Sequence, residues 1–147
     1  MFRRFRSFIL LVLTGIITLG MPAWALEIGS ITFKKENLPK DWELSRNYIA
    51  SPGELPRLEK QFGIKPLLGL ANQVFIVNGR CRLQVNFVQC GDVKQAEATA
   101  RKINKSVGHM NKILIRDNIV VEIMTRPDNP DLKDKVTRML APAKEVN

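Results

Sequence analysis

The residues best suited to chemistry are few, and two of them share one short segment. Cys81 and Cys90 bracket "CRLQVNFVQC". Read as a single strand, nine steps at about 3.3 Å set their Cα atoms about 30 Å apart, whereas a disulfide needs roughly 4.4 to 6.8 Å. An intrachain bond would require the segment to fold back, and it has no central Gly or Pro to let it. Cys90 just precedes a capped helix start at Asp92, where a thiolate would be stabilised; it is the thiol to probe. Cys81 reads as a small core-facing residue.

A nucleophilic hydrolase needs a nucleophile, a base and a group that orients the base. The chain has one histidine, His109, in "SVGHMNK", and Ser30, Ser45, Ser51 and Ser106 lie in no G-x-S-x-G elbow. A Cys90, His109 and Asp92 set can be drawn, but nothing in the spacing requires it. Glu43, Glu54, Glu59, Asp92, Glu97 and Glu122 are scattered, and most read as caps or exposed helix residues. Two cysteines and one histidine match no zinc spacing. "PDNPDLKD" lacks the Gly and terminal Glu of a calcium loop. No catalytic residue, metal site or cofactor is therefore assigned.

Basic side chains remain. Arg80 and Arg82 leave a hairpin turn; Lys94, Arg101, Lys102 and Lys105 lie on the polar side of the next helix; Lys112 and Arg116 follow. If that helix packs beside the hairpin, these eight form one positive patch for an envelope protein or an anionic polymer or lipid. The alternative is a solvated face that keeps the protein soluble. Nucleic acid is not expected, because no aromatic platform interleaves with the charges.

These residues need elements to position them. Asn78-Gly79 between "QVFIV" and "RCRLQVNFVQC" is a strong type I′ hairpin signal. On the second strand Cys81, Leu83, Val85 and Phe87 share one face, and Arg82, Gln84 and Asn86 the other. The parity slips at Phe87-Val88, which predicts a bulge or the strand's end. Asp92 with Gln95 forms a capping box, and Val93, Ala96, Ala100, Ile103 and Val107 recur at helical spacing up to Gly108. "KILIRDNIVVEIM" reads as a second hairpin around Asp117-Asn118. Pro130 opens a last helix with Leu132, Val136, Met139 and Leu140 inward. Ser51-Pro52-Gly53-Glu54 reads as a capping box for a short helix near 54–62, ending at Gly63. "GIKPLLGLANQ" reads as a connector, and 26–50 as an extended arm or two short strands.

The expected fold is α+β in two layers: a four-stranded antiparallel sheet from two hairpins (about 73–90 and 112–125), with helices (about 92–107 and 130–140) on one face. The hairpins superpose in pattern at an offset of 38 residues, between Phe75 to Val85 and Ile113 to Ile123.

Arg3, Arg4 and Arg6, the apolar run from Phe8 to Met21, Pro22 and Ala23-Trp24-Ala25 have the layout of a secretory signal cleaved after Ala25. An uncleaved anchor is the competing reading, since the run approaches the roughly 20 apolar residues of a spanning helix. Three of the 23 basic residues lie in this segment, leaving 20 Lys and Arg against 14 Asp and Glu in a single domain over 26–147, a net of +6. No transmembrane helix is expected after cleavage, and the destination is periplasmic or secreted. The functional expectation is a small exported, non-catalytic binding or accessory module of the bacterial cell envelope. The alternatives are an exported thiol-dependent enzyme or redox protein using Cys90, and an inhibitor or chaperone-like subunit of another exported protein.

Overall fold

The structure, a computed structural model, describes residues 27–146, so the expected signal over 1–25 lies outside the described residues. Short helix α1 (Ile28–Ile31) leads to strand β1 (Trp42–Ile49), helix α2 (Leu55–Phe62), strands β2 (Leu67–Val77) and β3 (Cys81–Cys90), helix α3 (Val93–Val107), strands β4 (Lys112–Arg116) and β5 (Ile119–Arg126), helix α4 (Pro130–Met139) and strand β6 (Lys144–Glu145). The strands form one antiparallel six-stranded sheet in the order β1-β2-β3-β5-β4-β6. Among the described residues no helix is long and apolar enough to cross a membrane.

The central hairpin forms where Asn78-Gly79 points to it. Both residues have positive φ, 53° and 64°, as a type I′ turn requires. Asp92 accepts from the Gln95 backbone N–H at 2.7 Å, and the Gln95 side chain reaches back to the Gly91 N–H, also at 2.7 Å. Asn129 caps α4 at the Leu132 N–H. Glu54 accepts from both the N–H and the hydroxyl of Ser51, but the helix begins only at Leu55, so Pro56 rather than Pro52 takes the early helical place.

The four-stranded sheet is corrected to six strands. β2 extends back to Leu67 through the stretch expected as a connector. Its alternation is masked because Gly69 and Ala71 hold inward positions. A Cβ on Gly69 would meet the Gln89 side chain at 3.0 Å and Ile28 at 3.2 Å, so α1 packs where a larger residue would have marked a strand. β1 pairs with β2 over Ala71 to Val77, mostly along the part of that strand expected from the sequence. There the pairing register shifts between Leu44 and Arg46, which breaks the period of two and hides the strand in the sequence. β6 adds a short outer edge on β4.

The helices are corrected from one face to two. One core joins Phe75, Val77, Leu83, Val85, Phe87, Val121 and Ile123 to Leu132, Val136 and Leu140 of α4 and to Ile31 and Trp42. The second joins Cys90, Ile113 and Val120 to Ala96 and Ala100 of α3, with Val88, Ile103 and Ile115 against it. The parity slip at Phe87-Val88 is therefore no bulge, because β3 pairs in unbroken register on both sides there. Val88 and Cys90 are apolar because α3 covers that end of the second face. Alanines at 96 and 100 let the helix lie close. Nor do the hairpins superpose at 38 residues: Phe75 packs toward α4 and Ile113 toward α3, although Val85 and Ile123 share one core.

Candidate functional site

α3 covers only part of the second face, and α2 stands over the β1-β2 edge. Between them lies a groove of about 610 Å³, within the range of small-molecule sites. Strand register orders its floor. Leu70, Val88 and Val120 form one cross-strand row; Tyr48, Asn72, Asn86 and Glu122 the next; Arg46, Val74, Gln84 and Met124 the third; Glu43, Ile76, Arg82 and Arg126 the fourth. The first row is walled by Leu58, Phe62, Ile64 and Ile103, α3 also borders the second, and further along, at Gln84, Met124, Arg82 and Arg126, the lining among the described residues is strand alone. Apolar walls thus give way to amides and then to a row with two arginines and one carboxylate, while Lys102 stands at the rim of the apolar end beside Gly63.

The second row is a hydrogen-bonded chain whose direction is fixed by chemistry. Glu122 accepts from Asn86 Nδ2 at 2.8 Å and from Asn111 Nδ2 at 2.7 Å. A carboxylate only accepts, so both amide nitrogens must face it. Asn86 Oδ1 then points away and accepts from Asn72 Nδ2 at 2.6 Å and Gln84 Nε2 at 3.2 Å. Two acidic groups at the groove, Glu122 and Glu54, are engaged. Tyr48 donates to Glu54 at 3.1 Å; desolvation first, and then this bond, hold the phenol above its ordinary pKa. Glu54 is held below the ordinary carboxyl value, first by the Ser51 N–H, then by the Ser51 hydroxyl and Tyr48.

Of the cations, Arg82 donates to Gln84 Oε1 at 3.5 Å. Among the described residues the ion pairs join Arg101 to Glu97, Lys112 to Asp134 and Glu145, and Lys133 to Asp128. None involves Arg46, Lys102, Arg82 or Arg126. Arg82 and Arg126 stand directly opposite across β3 and β5 on the uncovered face. Like charges so placed cost stability. Phe62, on the groove wall, is 44% exposed.

The eight basic residues singled out in the sequence occupy several surroundings. Lys102 lines the groove, and Arg82 lies on the bare sheet beyond it. Arg101 and Arg116 line a cleft at the β4-β6 edge, and Arg80 lies beside the β2-β3 turn near Trp42 and Lys135. Lys94 and Lys105 are exposed on α3. Lys112 is neutralised by its two carboxylates. α3 packs over the Val88 end of β3, six residues or about 20 Å from Arg82, so helix and hairpin cations stay apart. Arg46 lies in the segment expected as an extended arm or two short strands, Arg126 just past the expected end of the second hairpin, and Asn72 in the expected connector, so none of the three is singled out by sequence.

Cys90 is fully buried under α3, its Sγ 3.7 Å from Thr99 Oγ1. Desolvation pushes its thiol pKa up, opposed in part by that hydroxyl. Cys81 stands at the other end of β3, and both thiols are free. His109 borders a separate cleft with Lys112, Asp128 and Asp134, away from Cys90. Among the described residues no three His, Cys, Asp or Glu side chains gather as a metal site. No protein-family model matches the chain, and comparison with curated proteins and with solved structures finds no match.

Proposed function

We propose that the chain is an exported, non-catalytic binding module of the bacterial cell envelope, and that the groove between α2 and α3 holds its ligand. The observation that carries this reading is the half-covered sheet face: apolar walls at one end, an ordered amide floor in the middle and, at the other, arginines in no ion pair among the described residues. Fixed amides supply orientation and apolar walls supply affinity, the usual division in a ligand site. The N-terminal segment, with its basic start, apolar run and A-x-A site, supports export.

The thiol-enzyme alternative is weaker on physical grounds. A nucleophilic cysteine needs access and a depressed pKa, and Cys90 has neither. An accessory subunit that offers an edge strand would use β1, but the register shift at Leu44/Arg46 twists that edge and makes it a poor template.

The test is titration of the purified protein with an anilinonaphthalene sulfonate fluorophore, compared with the Phe62→Asp variant. Phe62 is exposed, so the variant keeps the fold, as its circular dichroism should show. Saturable enhancement in the parent and at least a tenfold weaker signal in the variant support the groove. Equal enhancement in both, or none in either, refutes it.

A further inference from the structure

We propose that the ligand is a single-chain amphiphile with a carboxylate head, its tail lying between α2 and α3 and its head at the Arg46–Gln84 row. The proposal rests on the groove being the binding site and adds the ligand's chemical class and direction.

Three observations define that ligand. The tail end is walled by Leu58, Phe62, Ile64, Leu70, Val88 and Ile103, with the Lys102 ammonium at its rim, 3.7 Å from where a Cβ on Gly63 would stand. A sugar or polar peptide would lose water there without replacing its hydrogen bonds. The head end presents Arg46, Arg82 and Arg126, none in an ion pair among the described residues, against one acid, Glu43, in the Arg82–Arg126 row, while Glu122 and Glu54 are occupied by amide, hydroxyl and N–H donors. The potential at that end therefore favours an anion. Spacing sets the length. From the Leu70 row to the Arg46 row is four residues, about 13 Å, and to the Arg82–Arg126 row six, about 20 Å. The occupant is long and thin, with its apolar part at the Leu70 row and the amides along its middle.

Two cations line the groove, Arg46 beside Gln84 and Lys102 on the α3 wall, and the head is assigned to Arg46 because its planar guanidinium stands beyond the amide row, away from the apolar walls. A planar carboxylate takes two parallel bonds from such a group. The Arg82–Arg126 pair lies one row further on and adds to the positive field. An anion near it offsets the repulsion of two arginines held face to face.

The experiment is isothermal titration of the purified protein at low and moderate salt with tetradecanoate, its methyl ester, tetradecyl phosphate and dextran sulfate, repeated with Arg46→Ala and Arg126→Ala. Both residues are exposed, and thermal denaturation confirms that the variants fold. The expected result is that tetradecanoate binds at least tenfold tighter than the ester, and that Arg46→Ala removes most of this difference and Arg126→Ala a smaller part. Equal binding of acid and ester overturns the head assignment and leaves the groove reading standing. A preference that survives Arg46→Ala overturns the direction. Tighter binding of the phosphate overturns the carboxylate. Tight binding of dextran sulfate with none of tetradecanoate replaces the amphiphile with an anionic polymer. Failure of every probe, including the fluorophore above, removes the groove reading itself.

Discussion

Replacing Glu122 with Gln tests whether the amide chain is wired as its chemistry requires. The carboxylate receives two N–H donors, from Asn86 and Asn111, one on each oxygen. A glutamine offers one acceptor oxygen and one NH2 group. Whichever way it turns, it meets one of the two donors with a donor. The variant loses one charge-assisted hydrogen bond, worth about 1.5 to 3 kcal/mol when buried. The row is only half-buried, so water recovers part of this, and about 1 to 2 kcal/mol remains. For a domain of this size that is a Tm fall of very roughly 3 to 10 °C. Urea denaturation should show a lower midpoint with unchanged slope. The cycle completed with Asn86→Ala should be non-additive by about 0.5 kcal/mol or more, because the two residues share a bond. The control is Glu97→Gln, which removes only an exposed 4.0 Å pair with Arg101 and should change stability by less than about 0.5 kcal/mol. A Glu122→Gln variant as stable as that control, or an additive cycle, would refute the wiring.

Thiol labelling of the native protein should modify Cys81 and spare Cys90 until denaturant is added, and non-reducing mass spectrometry should find no bridge between them; rapid native labelling of Cys90 contradicts its burial. Ala100→Leu should overpack the α3 contact and cost about 1 to 3 kcal/mol in urea denaturation. No cost would mean that α3 does not lie close to the sheet. The Lys112–Asp134 contact raises the Lys112 pKa, chiefly through the Asp134 hydrogen bond, and the same bond lowers the Asp134 pKa. Its stabilisation is present from about pH 4 to about pH 10, lost as pH falls through the lowered Asp134 value and as it rises through the raised Lys112 value. The stability gap between the parent and Lys112→Met should follow that window, and a gap unchanged at pH 2.5 contradicts the pairing.

Much of the fold could be read from local chemistry. Asn78-Gly79, Asp92 with Gln95, and Pro130 each mark a boundary whose physical cause lies within a few residues. Edge strands were harder to see, because β1 and the start of β2 owe their residues to partners far along the chain. Gly69 is small because α1 packs on it, and β1 changes parity at a register shift. The second layer was visible as a signal but assigned the wrong cause. Val88 and Cys90 broke the alternation because a helix covers them, a fact that "NFVQC" alone cannot separate from a bulge. The groove was least legible. Asn72, Asn86 and Glu122 lie far apart in sequence, and only the pairing of β2, β3 and β5 sets them in one row. Arg82 was named as a surface cation, but its opposite number, Arg126, becomes meaningful only through that same register.

The most direct test of the account is a two-dimensional amide NMR titration of the isotopically labelled protein with tetradecanoate. Shifts should concentrate at Arg46, Leu70, Asn72, Asn86 and Val88 on the sheet, and at Phe62 and Ile103 on the flanking helices, with α4 and the β4–β6 edge unmoved. Shifts centred on Arg101, Arg116 and Lys144, or spread evenly over the surface, would contradict it.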